Sequence, residues 1–209
     1  MADHYFTNSP NTGKNRQLTE ATIWGTVYRL ITASGVFARS GLDIATAVLM
    51  RSCDPPTGAT RLCDVGCGYG PIAIALADHC PDARVDAVDV NDAALQLCKE
   101  NAAAAGVAER VVTMRPEDTN PDARYDEIWS NPPIRIGKEA LHDLLLTWLP
   151  RLAPGGAMRM VVGKNLGADS LQTWLTAQGY RCERVASAKG FRVLVAHSAR
   201  TEDGPNRQD

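Results

Sequence analysis

The chain has 209 residues, enough for one domain whose core needs neither disulfide nor metal staples, and 44% of them are hydrophobic. A net charge of −2 supplies no global basic field, so any nucleic-acid contact has to come from a local patch. No run of about eighteen apolar residues occurs and the opening residues are polar, which argues against a membrane span or a secretory signal; a cytoplasmic location is expected. Cys53, Cys63, Cys67, Cys80, Cys98 and Cys182 lack paired CxxC spacing, so reduced, buried thiols are expected and no metal site.

In chain order, Ile23, Trp24, Val27, Tyr28, Leu30 and Ile31 recur at a spacing that predicts an amphipathic helix packed on the main body. Gly35-Val36-Phe37 breaks that pattern, and a second helix is expected from Leu42 to Arg51, with Asp43 in its first turn. Asp54-Pro55-Pro56-Thr57-Gly58 is a turn-rich linker into the core. Beyond it, apolar runs alternate with helical segments: strands are expected near 60–65, 84–89, 110–114, 125–130, 157–163, 181–187 and 190–197, and helices near 71–79, 92–105, 138–150 and 168–178. Gly106 should end the helix before it, and Gly155-Gly156 should turn the chain into a central strand. The last two strands are joined too closely for a crossover helix, so they should pair as an antiparallel hairpin at the sheet edge. The fold class is therefore α/β, a Rossmann-like sheet of seven mostly parallel strands with a C-terminal antiparallel hairpin, the type of class I methyltransferases.

Two segments carry the chemistry. Asp64-Val65-Gly66-Cys67-Gly68-Tyr69-Gly70 is a strand end and a glycine turn, with Pro71 suited to the first turn of the following helix. Its GxGxG spacing differs from the GxGxxG of dinucleotide binders, and Asp64 would repel a pyrophosphate but favour a cationic amino-acid ligand. That points to S-adenosylmethionine, with Asp64, Gly66 and Gly68 as contacts. Asp89 ends the next strand, where a carboxylate can accept the ribose hydroxyls, while Asn91 is better placed to cap the helix after it. Glu117 or Asp118, after Pro116, could accept from the adenine amine.

Ser130-Asn131-Pro132-Pro133-Ile134 follows the apolar strand ending at Ser130, on the sheet edge where open sheets bind ligands. The prolines stiffen the backbone, so the Pro132 carbonyl and the Asn131 amide oxygen can both accept from a planar amine and aim its nitrogen at a methyl donor. Asn131 and Pro132 are the expected catalytic pair, and Pro133, Ile134, Arg135 and Lys138 the expected substrate contacts. Ile134 stands where an aromatic would stack on a base, so the target ring would be held by apolar contact, with Phe37 or another ring assisting. Lys164, Lys189 and Arg192 fall on loops or element ends and could add phosphate contacts.

The chain resembles the methyltransferase small domain family, typified by ribosomal RNA guanine-N2 methyltransferases of the RsmC type. The resemblance is carried by His4-Tyr5-Phe6, the segment Thr32 to Phe37, Leu42-Asp43-Ile44-Ala45-Thr46, the glycine turn, Asp89-Val90-Asn91, and the segment Asn131 to Lys138. It implies that Phe37, Thr46 and Val90 border the cofactor, and that residues 1–52 form a lid and helices packing on a methyltransferase core at 53–200, before a disordered tail at 201–209. Larger members of the family carry a second, degenerate copy of the domain, and this chain is similar to the shorter, single-domain members. The implied activity is methylation of a guanine N2 in 16S ribosomal RNA, acting on RNA or the small subunit, with a monomer expected and neither membrane nor metal involved. The same acceptor pair could serve a protein glutamine or a small-molecule amine, and a non-catalytic assembly factor is the reading from another class.

Overall fold

The computed structural model describes residues 16–33, 41–132 and 137–198. The segment predicted to open with an amphipathic helix is instead a hairpin: β1 (Arg16–Ile23) pairs antiparallel with β2 (Thr26–Ala33), in register from Arg16 opposite Ala33 to Ile23 opposite Thr26. Trp24 and Gly25 form its two-residue turn with φ of 48° and 86°, the doubly left-handed geometry whose twist matches antiparallel strands. Thr19, Ala21 and Ile23 on β1 and Tyr28, Leu30 and Thr32 on β2 are buried. The apolar period is thus two on each side of the turn. Read across the turn without seeing it, the same residues fall at helical spacing. The β-branched Thr19, Thr22, Ile23, Thr26, Val27, Ile31 and Thr32 favour the extended form.

The hairpin is fastened to the rest of the chain. Trp24 Nε1 donates to the Cys53 carbonyl at 2.8 Å, and the Trp24 ring meets the buried Trp129 edge-on at 5.8 Å. Asn101 acts as a short strand substitute: its Oδ1 accepts from Ile31 N at 2.7 Å, and its Nδ2 donates to the carbonyls of Ile31 and Tyr69 at 2.8 and 2.9 Å. One buried amide therefore ties the hairpin to the glycine turn.

Helix α1 (Ile44–Ser52) precedes the main sheet, with Asp43 as its N-cap. The strands are β3 (Arg61–Val65), β4 (Arg84–Val88), β5 (Val111–Met114), β6 (Tyr125–Ser130), β7 (Leu152–Gly163), β8 (Arg181–Ala188) and β9 (Phe191–His197), in the order β5-β4-β3-β6-β7-β9-β8. The first five are parallel, β9 runs antiparallel to β7, and β8 pairs antiparallel with β9 at the edge. Strand β7 starts at Leu152 rather than near 157, so Gly155 and Gly156 lie inside it, beside a register shift between Tyr125 and Glu127. A Cβ on Gly156 would sit 2.9 Å from the carbonyl oxygens of Tyr125, Asp126 and Ala153, which explains why only glycine fits there.

Helices α2 (Pro71–His79), α3 (Asp92–Ala104), α4 (Gly137–Trp148) and α5 (Ala168–Ala177) complete the layers. The hairpin and α1, α2 and α3 share one apolar cluster with Leu62, Val85, Trp129, Val161 and Val193 on one face of the sheet. Helices α4 and α5 bury Leu141, Leu145, Leu171 and Leu175 with Cys63, Ile128, Met158 and Met160 on the other. All six cysteines are free.

Candidate active site

Parallel pairing sets Val65 opposite Val88 and Ser130, Val88 opposite Met114, and Ser130 opposite Met160. The residues that follow these, Gly66, Asp89, Arg115 and Asn131, therefore emerge along a single carboxyl edge. Adjacent strands are latched there: Gly66 N and Cys67 N both donate to the Val88 carbonyl, at 2.8 and 3.0 Å, and Ser130 Oγ donates to the Val65 carbonyl at 2.8 Å.

Gly66, Gly68 and Gly70 all have positive φ, at 78°, 56° and 94°. Around Gly68 a Cβ would meet nothing within 4 Å, so the turn leaves open space at that point, whereas at Gly66 it would reach the backbone oxygen of Asn131 at 4.0 Å. The two predicted motifs are thus neighbours across β3 and β6. Gly70 has a different task. A Cβ there would lie 2.6 Å from Cys98 Sγ and 3.2 Å from Ile74 Cδ1, in a conformation L-residues avoid. Gly70→Ala is expected to lower stability by about 3 kcal/mol through strain and overpacking, read as a drop in urea midpoint at unchanged slope.

Asp64 is fully buried. Its Oδ2 accepts from Ala73 N at 3.0 Å, standing in for the side chain that the cap residue Gly70 lacks at the start of α2, and its Oδ1 is buried without a partner among the described residues. Burial pushes its pKa up to about 8; the Ala73 N–H offsets this in part and the Asp89 carboxylate adds to it. Asp89 is raised as well, chiefly by burial, although Gly68 N and Asn91 N each donate to it at 2.9 Å. Two acidic side chains thus frame the turn, and a cation beside them favours their ionised form. Asn91 caps α3 through Ala93 N, which leaves Asp89 free of that role. Tyr69 Oη, on the same turn, is also buried without a partner among the described residues, and its pKa is pushed up to about 12 by burial and by Asp43.

Asn131 is held from one side only. Its Nδ2 donates to Asp43 Oδ2 at 2.9 Å and to Thr46 Oγ1 at 3.0 Å, while Asp43 Oδ2 also accepts from Thr46 N. A carboxylate can only accept, so it decides which end of the amide faces α1. Asn131 Oδ1 is left facing away, with no hydrogen bond among the described residues. From the sequence Asp43 is expected in the first turn of a helix, and the resemblance implies Thr46 beside the cofactor. The structure makes Asp43 the cap of α1 and both residues the anchors of Asn131. The Asp43–Asn131 contact spans 88 positions, and the only local hint was an Asp at an N-cap.

The other expected contacts divide. Pro132 is buried directly after Asn131, and Val90 is exposed next to Asp89. Glu117 and Asp118 lie on a short 3-10 turn after β5, with Glu117 bound to Arg115 at 2.6 Å and Arg115 also bound to Asp92. Lys138 is exposed at the start of α4. Arg192 is bound to Asp169 at 3.5 Å. Phe37, Pro133, Ile134 and Arg135 lie outside the described residues.

Comparisons with known proteins bear on this geometry. The uncharacterized Bacillus subtilis protein YbxB is 29% identical over 198 residues, 94% of this chain and 98% of YbxB. The ribosomal RNA small subunit methyltransferase C of Klebsiella pneumoniae is 36% identical over 139 residues, and the ribosomal RNA large subunit methyltransferase G of Pseudomonas syringae 33% over 186. Those matches span 40% and 48% of the two enzymes, so this chain covers half of their length or less. The T. thermophilus 16S ribosomal RNA N2 methyltransferase RsmC, solved with AdoMet and guanosine, shares the fold with a TM-score of 0.75 at 23% identity, over 88% of this chain and 50% of that one. The profile of the methyltransferase small domain matches residues 27–195, from the hairpin to the last strand, and the chain belongs to that family.

Proposed function

We propose that this protein is an S-adenosylmethionine-dependent N-methyltransferase that modifies the exocyclic N2 of a guanine in small-subunit ribosomal RNA. The observation that carries the reading is the one-sided anchoring of Asn131, with its amide nitrogen bound to Asp43 and Thr46 and its oxygen without a hydrogen bond among the described residues. An acceptor fixed in this way receives an N–H from a planar amine and resists turning its own N–H toward it. As positive charge grows on the amine nitrogen, the fixed carbonyl dipole stabilises it, and the proton can leave to water after transfer.

The residues fit the methyl donor. Bound there, the donor would supply an electrophilic methyl on a sulfonium. The orphaned Asp64 Oδ1 suits its ammonium, the carboxylate of Asp89 retains acceptor sites for ribose hydroxyls, and the open space at Gly68 admits a ligand against the backbone. Guanine as the target is supported by relatives named as ribosomal RNA methyltransferases and by the guanosine complex that shares this fold.

The test is to supply labelled cofactor with small ribosomal subunits, naked ribosomal RNA or a protein extract, and to digest the labelled product. N2-methylguanosine is the expected label. Label confined to protein or to small molecules would overturn the RNA reading.

A further inference from the structure

The structure assigns a backbone-phosphate contact to Lys164 and Lys189, away from the methyl-transfer site and resting on the reading that RNA is the substrate. Lys164 leaves the end of β7 and Lys189 stands at the tip of the β8–β9 hairpin. They are brought together because Lys164 N donates to the Gly190 carbonyl at 2.8 Å. Both are exposed, and among the described residues neither side chain has an ion-pair partner, in contrast to Arg192 nearby, which Asp169 holds.

The backbone at Lys189 gives the second, independent reason. Lys189 and Gly190 form a two-residue hairpin turn with φ of 52° and 82°. Such a turn favours Asn-Gly or Asp-Gly, since a long side chain at positive φ is disfavoured. Among the described residues Trp24 is the only other non-glycine in that region, and its indole is held by Cys53 and Trp129. Among the described residues Lys189 has no such contact to justify its conformation. A cation is thus kept on an exposed tip where the fold alone would favour a short polar residue.

The charge along the carboxyl edge is divided to match. The β4 and β5 ends carry Asp89, Asp92, Glu117 and Asp118 against Arg115, whereas beyond Asn131 Glu139 offsets Lys138, Asp169 is matched by both Arg184 and Arg192, and Lys164 and Lys189 have no ion-pair partner among the described residues. A polyanion is repelled from the cofactor half and attracted to the β7–β9–β8 half. RNA would therefore lie across that half, with the target base reaching back to Asn131. Lysine contacts of this kind set position and affinity and leave sequence unread.

Fluorescence anisotropy of a labelled RNA hairpin titrated with the full chain, over a series of KCl concentrations, tests the assignment. Each phosphate contact contributes about 0.7 to 0.9 to the slope of log affinity against log salt. Lys164→Gln and Lys189→Asn should each lower that slope by about 1, and the double variant by about 2. Asn suits positive φ, so Lys189→Asn removes the charge while keeping the turn, and its melting temperature should be equal to or above that of the parent. Cofactor affinity by calorimetry should be unchanged in all three. Slopes equal to the parent's would overturn the lysine contact while leaving RNA methylation standing, and absence of RNA binding by the parent would overturn it too. The RNA reading itself falls only if the labelling experiment finds no methylated RNA.

Discussion

Asn131→Ala should lose turnover by about 10²- to 10³-fold while cofactor affinity stays within about twofold of the parent. The magnitude follows from removing one preorganised polar group from the point where charge develops. Selectivity between the two readouts follows from placement: Asn131 directly follows β6 and is held by its α1 anchors, and the carboxyl groups that frame the glycine turn do not touch it. Asn131→Asp is a sharper probe, being nearly isosteric. It would set a second carboxylate 2.9 Å from Asp43, lose both N–H donors, and free the side chain to turn, so its activity should be no better than that of the alanine variant. Single-turnover methylation and calorimetry with the cofactor separate the two quantities. Alanine turnover close to the parent's would sink the amine clamp, and a parallel collapse of cofactor affinity would reassign Asn131 to the cofactor site.

What could be read in the sequence, and what could not, divides by distance along the chain. The glycine turn, Asp89 and Asn131 each sit at the end of a short apolar run. Strand periodicity alone therefore places them on one edge, and the register from Val65 to Ser130 follows from the parallel order. The hairpin at 16–33 was misread because its turn is Trp24-Gly25, with a bulky residue at a position where Asn or Asp would have announced a reversal. The anchors of Asn131 were invisible for another reason. Asp43 and Thr46 satisfy a local rule, the capping of α1, and their second task across 88 positions leaves no periodic trace. Asn101 is similar: it lies in a helix with unremarkable spacing, and only the fold shows it joining the hairpin to the turn.

Asp64→Asn should weaken the cofactor by about 10- to 100-fold and, in the same protein, stabilise the free fold at alkaline pH. The first effect is the loss of a charge-assisted hydrogen bond to a cationic group, worth about 1.5–3 kcal/mol. The second comes from linkage. The folded carboxyl titrates at about 8 against 3.8 for an ordinary aspartate, so between those values the native state holds a proton that the unfolded chain has released. Stability from this group is full below about pH 4, declines through that window, and is gone above about pH 8; asparagine, which does not titrate, removes the decline. Binding runs the other way. A cationic ligand favours ionised Asp64, so at pH 7 association should release a proton, and affinity should climb from pH 5 toward about pH 8, where an α-ammonium itself begins to lose its proton. Calorimetry in two buffers of different ionisation enthalpy counts that proton, and thermal melts from pH 5 to 9 follow the stability. A parent that releases no proton, or a variant whose melting temperature falls with pH in parallel with the parent's, would mean that the buried carboxyl serves only to cap α2.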